Sequence, residues 1–317
     1  IYIKEVINLG VTEMHDSRIS NLKKIKKLGS NIKTVYIKPP SKRNISKIVQ
    51  YADVSFNTEI YTIQMLSEES KQQNKTHGII IMIEMGDLRE GVLGEELLNF
   101  YEQVFSLPNI EIRGIGTNLN CLSGVMPTQD KLIQLSLYKQ LIEAKFNVKI
   151  PWVSGGTSVA IPLMLKNARP MAVNHFRIGE ALFFAKDLFT GETIEGMYND
   201  VFKLYAEIIE ITEKPDNPVG ELGENVAGNT YEITEETDLS ATSLRAILDI
   251  GLLDMQPQYL ETDNPNITIV DASSDMMVID ISNSEKNYNV GDLISFKLQY
   301  MGALYLLNSD YIEKVVE

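Results

Sequence analysis

Short apolar runs alternate with amphipathic stretches over the first two-thirds of the chain. Residues 11–14, 34–38, 54–56, 79–85, 112–117, 150–153 and 175–177 read as strands. The run over 79–85 is almost unbroken, as expected for a strand covered on both faces. Residues 17–28, 41–51, 58–73, 95–106, 128–146 and 158–166 read as the intervening helices. Strict alternation of seven strands with helices predicts a parallel sheet with helices outside. Seven is one short of a closed (β/α)8 barrel of the TIM type. Residues 1–8 read as the tail of a helix stopped by Gly10, without the strand that should feed it. The expectation is therefore an α/β barrel whose first strand lies upstream of Ile1.

From about Leu204 the pattern changes. Alternating β-type runs occupy 204–212, 246–250, 267–270, 276–281 and 293–300, punctuated by Pro215, Pro218, Gly220 and Gly223. Two domains are predicted: a (β/α) barrel over 1–203 and a mostly β domain over 204–317.

Composition narrows the function classes. The chain has 317 residues, 44% of them hydrophobic, enough for two cores. A net charge of −14 argues against nucleic acid or an anionic membrane surface as partner. The single cysteine, Cys121, excludes an internal disulfide and points to a reducing, cytoplasmic setting. No apolar stretch approaches the roughly 18 residues of a membrane span.

Barrel enzymes place their chemistry at the C-terminal ends of strands. Two such ends carry phosphate-type loops, Ser154-Gly155-Gly156-Thr157-Ser158 and Arg177-Ile178-Gly179-Glu180-Ala181, about one βα unit apart. Each is expected where a strand stops and a helix begins, so that free N–H groups and a helix dipole attract a phosphate. Further strand ends supply His15-Asp16-Ser17-Arg18, Asn57, Glu84 to Gly91 and Asn118. In Glu84-Met85-Gly86-Asp87-Leu88-Arg89-Glu90-Gly91, charge surrounds a tight turn, and Arg89 is expected to point into the site. Ser154 and Gly155 can equally serve only to shape their turn. His77 and His175 read as structural or surface histidines.

The ordered cassettes DSR, EMGDLREG, GIGTNLNC followed by PT, SGGTS and FRIGEA resemble the fold type III amino-acid racemases that use pyridoxal 5'-phosphate (PLP). Within the alanine racemase group the resemblance is nearest to the ornithine racemases, and it covers essentially the whole chain. It implies that Gly156, Thr157 and Ser158 bind the PLP phosphate from one side, and Gly179 with the backbone beside Ile178 from the other. It implies that Arg177 faces the pyridine nitrogen and that Arg89 stands near the phenolic oxygen. Asn118 and His15 or Ser17 would line the pocket, and Tyr300 would reach the phosphate. Asp87 and Asp275, with Glu84, would meet the cationic side chain of a basic substrate such as ornithine. The resemblance also implies a homodimer with the site at the subunit interface.

Two departures accompany it. The Schiff-base lysine of this family sits on the first barrel strand and is expected upstream of residue 1. Leu252, in Ile250-Gly251-Leu252-Leu253-Asp254, stands where alanine racemases place the tyrosine that serves the second face of Cα. Asp254 and Cys121 are the candidates for that proton transfer. A non-catalytic PLP-binding or PLP-free relative is the alternative reading.

Overall fold

The computed structural model describes residues 2–29, 31–166, 168, 170, 172–224, 228, 230, 231 and 240–316. They form two compact units: residues 1–181 with 187–192, and residues 182–186 with 193–317.

The first unit opens with helix α1 (Tyr2–Asn8). It stops at Gly10, whose positive φ of 93° suits a residue without Cβ. Then strands and helices alternate. They are β1 (Glu13–Asp16), α2 (Ile19–Lys26), β2 (Lys33–Tyr36), α3 (Ile45–Tyr51), β3 (Val54–Asn57), α4 (Ile60–Gln72) and β4 (His77–Met82). There follow α5 (Leu97–Phe105), β5 (Ile110–Gly116), α6 (Gln129–Phe146), β6 (Trp152–Thr157), α7 (Ile161–Leu165) and β7 (His175–Arg177), and then the one-turn α8 (Ala181–Phe184), which belongs to the second unit from Leu182 on. All seven strands lie in one sheet in sequence order, each pairing in parallel with the next. This is the predicted barrel sheet. The sheet curls far enough for side chains of its two edge strands, β1 and β7, to touch.

Two apolar layers follow from the strand period of two. Tyr36, Ile79, Ile81, Ile83, Ile115 and Val153 face the helices and pack against Leu22, Ile48, Ile63, Leu66, Leu97 and Leu132. The alternate residues Val35, Val54, Phe56, Ile80 and Met82 fill the barrel interior, with Ile37 and Trp152 against them. Burying these side chains is worth roughly 1.5–3 kcal/mol each, so the pattern specifies which face of each strand points inward.

Two expectations about this unit need correction. The segment 154–157 is strand, not loop, because β6 runs through to Thr157. The helices after the two phosphate-type segments are also very short: a 3-10 turn (Ser158–Ala160) leading into five-residue α7, and four-residue α8. A dipole argument therefore has little to act on there.

In the second unit, β8 (Lys203–Pro215), β9 (Thr242–Leu248), β10 (Leu260–Thr262), β11 (Thr268–Ala272), β12 (Met277–Asp280) and β13 (Leu293–Leu298) form a six-stranded sheet. Its order is β10-β13-β8-β9-β12-β11, antiparallel at each pairing. The long β8 pairs with β13 through its first half and with β9 through its second. Ile208, Leu248, Met277, Ile279 and Phe296 form its core. The expected strand over 293–300 ends at Leu298, and helix α9 (Tyr300–Asn308) begins two residues later.

Candidate functional site

The interior of the seven-stranded unit is chemically divided. β2, β3 and β4 contribute apolar side chains, as described above. β1, β6 and β7 contribute Glu13, His15, Trp152, Ser154, His175 and Arg177. The polar half therefore lines the edges where β1 and β7 approach.

Arg177, at the end of β7, is the hub of this half. Its Nη1 donates to Ser154 Oγ at 2.6 Å, and its Nη2 donates to the Thr117 carbonyl at 2.9 Å and to Asn118 Oδ1 at 2.5 Å. The guanidinium also stacks over the Phe56 ring, 5.3 Å from its centre. Burial pulls the Arg177 pKa down to about 10. The group remains cationic at neutral pH.

From Asn118 the network continues outward. Asn118 is 7% exposed, and its Nδ2 donates to Glu90. The two carboxylate oxygens of Glu90 take both Nε and Nη2 of Arg89. That bond raises the Arg89 pKa further. Arg89 thus joins the strand ends through Glu90, which the sequence places in the charged turn without assigning it a role.

The phosphate-type segments meet at Ser158. Its hydroxyl accepts from the backbone N–H of Gly179 at 3.2 Å and of Ala181 at 3.1 Å. Two main-chain donors from the β7–α8 turn therefore converge on one point beside the β6 end. A Cβ added at Gly179 would have nothing within 4 Å, so open space lies in front of this turn. Gly156 has φ 130°, a conformation that ordinary side chains resist, and it lets the backbone bend toward Ser158. Open space, convergent N–H groups and a nearby cation are what a phosphorylated ligand needs. Thr157, half-buried, ends β6, and Ile178, half-buried, follows Arg177.

Other predicted residues have different employment. Asp87 is buried, and its carboxylate accepts from the N–H groups of Cys121, Leu122, Ser123 and Val125. Burial alone would raise its pKa, but these four donors outweigh it and hold the group below the usual carboxylate range. We reassign Asp87 from substrate pairing to shaping the 119–125 loop. Glu84 likewise accepts from the N–H groups of Gly86 and Leu88 and caps its own turn. Burial pushes the Cys121 thiol up, with nearby Arg89 acting the other way, so Cys121 holds its proton at neutral pH. It offers no ready base. Ser17 is half-buried beside Asp16, whose carboxylate accepts from Arg18 N and Asn21 Nδ2. Asn57 is fully buried, its Nδ2 donating to the Ser55 carbonyl and hydroxyl. His77 is buried and bonded to Ser55 at 2.8 Å, a structural role as expected. His175 is not a bystander: it bonds Ser154 and Glu13 inside the polar half.

A cavity of about 600 Å³ opens at the opposite, N-terminal ends of the strands. Its cations are already engaged, Lys26 on Asp53, Arg113 on Glu111, Lys33 over the Trp152 ring and Lys75 on the Val49 carbonyl. The open space at Gly179 and the convergent donors lie at the other end of the barrel, where this fold class keeps its chemistry.

Residues 3–187 match the family description "Alanine racemase, N-terminal domain". The chain belongs to the alanine racemase family. Among relatives of this family it is 38% identical over 313 residues to the ornithine racemase of Acetoanaerobium sticklandii, covering 98% of this chain and 87% of that one. It is 30% identical over 308 residues to the lysine racemase of Thermotoga maritima, covering 97% and 85%. A solved alanine racemase from Bartonella henselae, described with covalently bound pyridoxal phosphate, superposes with a TM-score of 0.67. That match covers 91% of this chain and 77% of the other at 18% identity, and it shows the shared fold.

The second unit holds three more of the candidate residues, Tyr300 from the family resemblance and Asp254 and Asp275 from their own chemistry. Tyr300 opens α9 and meets Phe184 edge-on, with ring centres 5.9 Å apart. Asp254 lies in the turn after β9, its Oδ2 accepting from Gly251 N at 3.4 Å. Asp275 is exposed in the β11–β12 turn and accepts from Ser274 Oγ at 2.9 Å. Leu252 packs against the core of this unit. Among the described residues, no helix is long and apolar enough to cross a membrane.

Proposed function

We propose that this protein is a PLP-dependent amino-acid racemase whose substrate is a basic amino acid, with ornithine the first to test. The observation that carries the reading is the convergence of Arg177, Asn118 and the Ser158–Gly179–Ala181 donors at one end of the barrel. The two curated relatives, which are named for ornithine and for lysine, support a basic substrate.

In this reading the N–H groups of Gly179 and Ala181, with Ser158 and Thr157, hold the phosphate of PLP, and Tyr300 serves the same group. Arg177 meets the pyridine nitrogen. As a cation with hydrogens on every nitrogen, it gives that atom a donor and no proton. PLP supplies the electron sink that makes the substrate Cα–H acidic. Arg89, held by Glu90, fixes charge near the phenolic oxygen. Asp254 remains the candidate for proton transfer at one face of Cα, and Asp275 the candidate partner of a cationic substrate side chain. A homodimer in the cytoplasm is part of the same proposal.

The test is an absorbance spectrum with PLP, on this chain and on a form extended upstream by about one βα unit. Borohydride fixation and intact mass are read on the same samples, followed by chiral assay on L-ornithine, L-lysine and L-alanine. A fixed PLP adduct together with faster turnover of the basic substrates is the expected result. Equal rates on alanine and ornithine would remove the basic-substrate reading. No PLP adduct in either form would remove the racemase reading and favour a non-catalytic relative.

A further inference from the structure

Arg177 is unusual in its company. Among the described residues, its hydrogen bonds all go to neutral oxygens, those of Ser154, Thr117 and Asn118. Carboxylates stand further away on both sides, one intervening residue off on one path and two on the other. Glu90 is reached through Asn118. Glu13 is reached through His175 and Ser154: Ser154 Oγ lies 2.8 Å from His175 Nδ1, and His175 Nε2 lies 3.3 Å from Glu13 Oε2.

Hydrogen bookkeeping along this second path is restrictive. Arg177 is a donor only, so Ser154 Oγ accepts from it. The one hydroxyl hydrogen of Ser154 is then free to point at His175 Nδ1. In that arrangement the neutral ring presents its lone pair at Nδ1 and carries its hydrogen on Nε2. Nε2 faces the Glu13 carboxylate, an acceptor only. Both ends of the ring select the same tautomer. Trp152 stacks on the ring at 5.1 Å and 16°, which holds its plane.

Glu13, His15 and His175 also have ligand atoms within 4.8 Å of one another, close enough for a metal ion. A metal on Nε2 would need the lone pair there and the hydrogen on Nδ1. Ser154 would then receive two donors and have no described acceptor for its own hydrogen. The hydrogen-bonded relay accounts for the contacts better than an ion does.

We propose that His175, fixed as its Nε2–H tautomer by Glu13 on the facing edge strand, is a positioning residue that orders the Ser154 hydroxyl and through it the Arg177 guanidinium. The inference rests on the racemase reading only for what Arg177 meets. The Glu13 carboxyl is consistent with it, since bonds from His15 and His175 hold its pKa down at about 2.

The test begins with the full chain, free of PLP, labelled with ¹⁵N-histidine. Near neutral pH, His175 is expected to show a protonated Nε2 and a bare Nδ1. Ser154→Ala is expected to shift that ratio toward a mixture. In the loaded enzyme, His175→Phe is expected to lower kcat by roughly tenfold, the scale of one well-placed hydrogen bond, with KM nearly unchanged. His175→Asn, which keeps an acceptor near the Nδ1 position, is expected to recover most of the loss. A hydrogen on Nδ1 in the free protein would overturn the proposal. So would equal kcat values for the Phe and Asn variants, or Zn²⁺ binding that strips the hydrogen from Nε2. Because the tautomer and its response to Ser154→Ala are read without PLP or substrate, an absence of racemase activity would sink the functional reading alone.

Discussion

Asn118 accepts from Arg177 at 2.5 Å through its amide oxygen while its amide nitrogen faces Glu90. The amide therefore has one permitted orientation, set by a cation on one side and an anion on the other. It also keeps that cation and anion apart. Glu90 is spent on Arg89 and Asn118, and Arg177 keeps its charge uncancelled by direct contact with a carboxylate.

Asn118→Asp tests this separation. The new carboxylate would sit directly on Arg177 and, on its other side, against Glu90. Like charges at such a distance force a proton onto one of the pair, while the direct ion pair occupies the donors of Arg177. Activity is expected to fall by roughly a hundredfold in kcat/KM, about 2.7 kcal/mol at the transition state. The fold itself is expected to survive, because the side chain changes by one atom. Steady-state kinetics beside a thermal melt check this. A variant with native kinetics would show that the amide is replaceable.

The reassignment of Asp87 makes a stability prediction. Four N–H groups of the 119–125 loop depend on this one buried carboxylate. Asp87→Ala leaves them without it and is expected to cost about 2–3 kcal/mol. Cys121 lies in that loop, so its alkylation rate should rise in the variant. Urea unfolding and thiol labelling report the two effects separately. Unchanged stability would return Asp87 to the list of substrate contacts.

Much of this architecture was legible from periodicity. The central strands announce themselves because β3 and β4 are buried along their whole length, and the parallel order then follows from βα alternation. The strand ends were harder. Ser154 to Thr157 looked like a loop because glycines rarely favour strands. Gly155 is needed there for another reason: a Cβ would meet Val173 at 2.2 Å. Asp87 reads as a ligand-facing acid because no spacing rule reveals that a carboxylate will cap backbone N–H groups more than thirty residues away, whereas Glu84 caps N–H groups of its own turn. For His175 the sequence leaves a structural and a surface role open, and the structure shows its hydrogen-bond partners. Its partners Glu13 and Ser154 come from β1 and β6, and sequence distance hides the contact.

Acid stability should be governed in part by His77. Its ring is buried against Ser55, and burial lowers its pKa from 6.5 to about 4, with Asp53 acting weakly the other way. The folded state therefore prefers the neutral ring. That preference is fully present above pH 6.5 and is lost as pH falls from 6.5 toward 4, where the unfolded chain takes up the proton first. The loss is on the order of 3 kcal/mol. His77→Gln keeps a polar partner for Ser55 and cannot titrate, so its urea midpoint should vary less between pH 7 and 4.5. Parallel midpoints for the two proteins would locate the acid sensitivity elsewhere.

Ser158 offers the most direct probe of the phosphate cradle. Its hydroxyl holds the N–H groups of Gly179 and Ala181 toward one point. Without that acceptor the β7–α8 turn loses the contact that aims both donors, and a bound phosphate loses a hydroxyl donor as well. Ser158→Ala removes a single oxygen from a residue only 6% exposed, so little apolar packing is disturbed. Each lost bond to a charged group is worth about 1.5–3 kcal/mol. The PLP dissociation constant is therefore expected to rise by roughly ten- to a hundredfold, read by fluorescence titration. Ser158→Thr retains the hydroxyl and should recover part of the affinity. Inorganic phosphate should compete with PLP more weakly in the alanine variant than in the wild type, since the same donors serve both. Native PLP affinity in Ser158→Ala would mean that the cofactor phosphate is held by other groups, and the convergence of these two turns would then be structural.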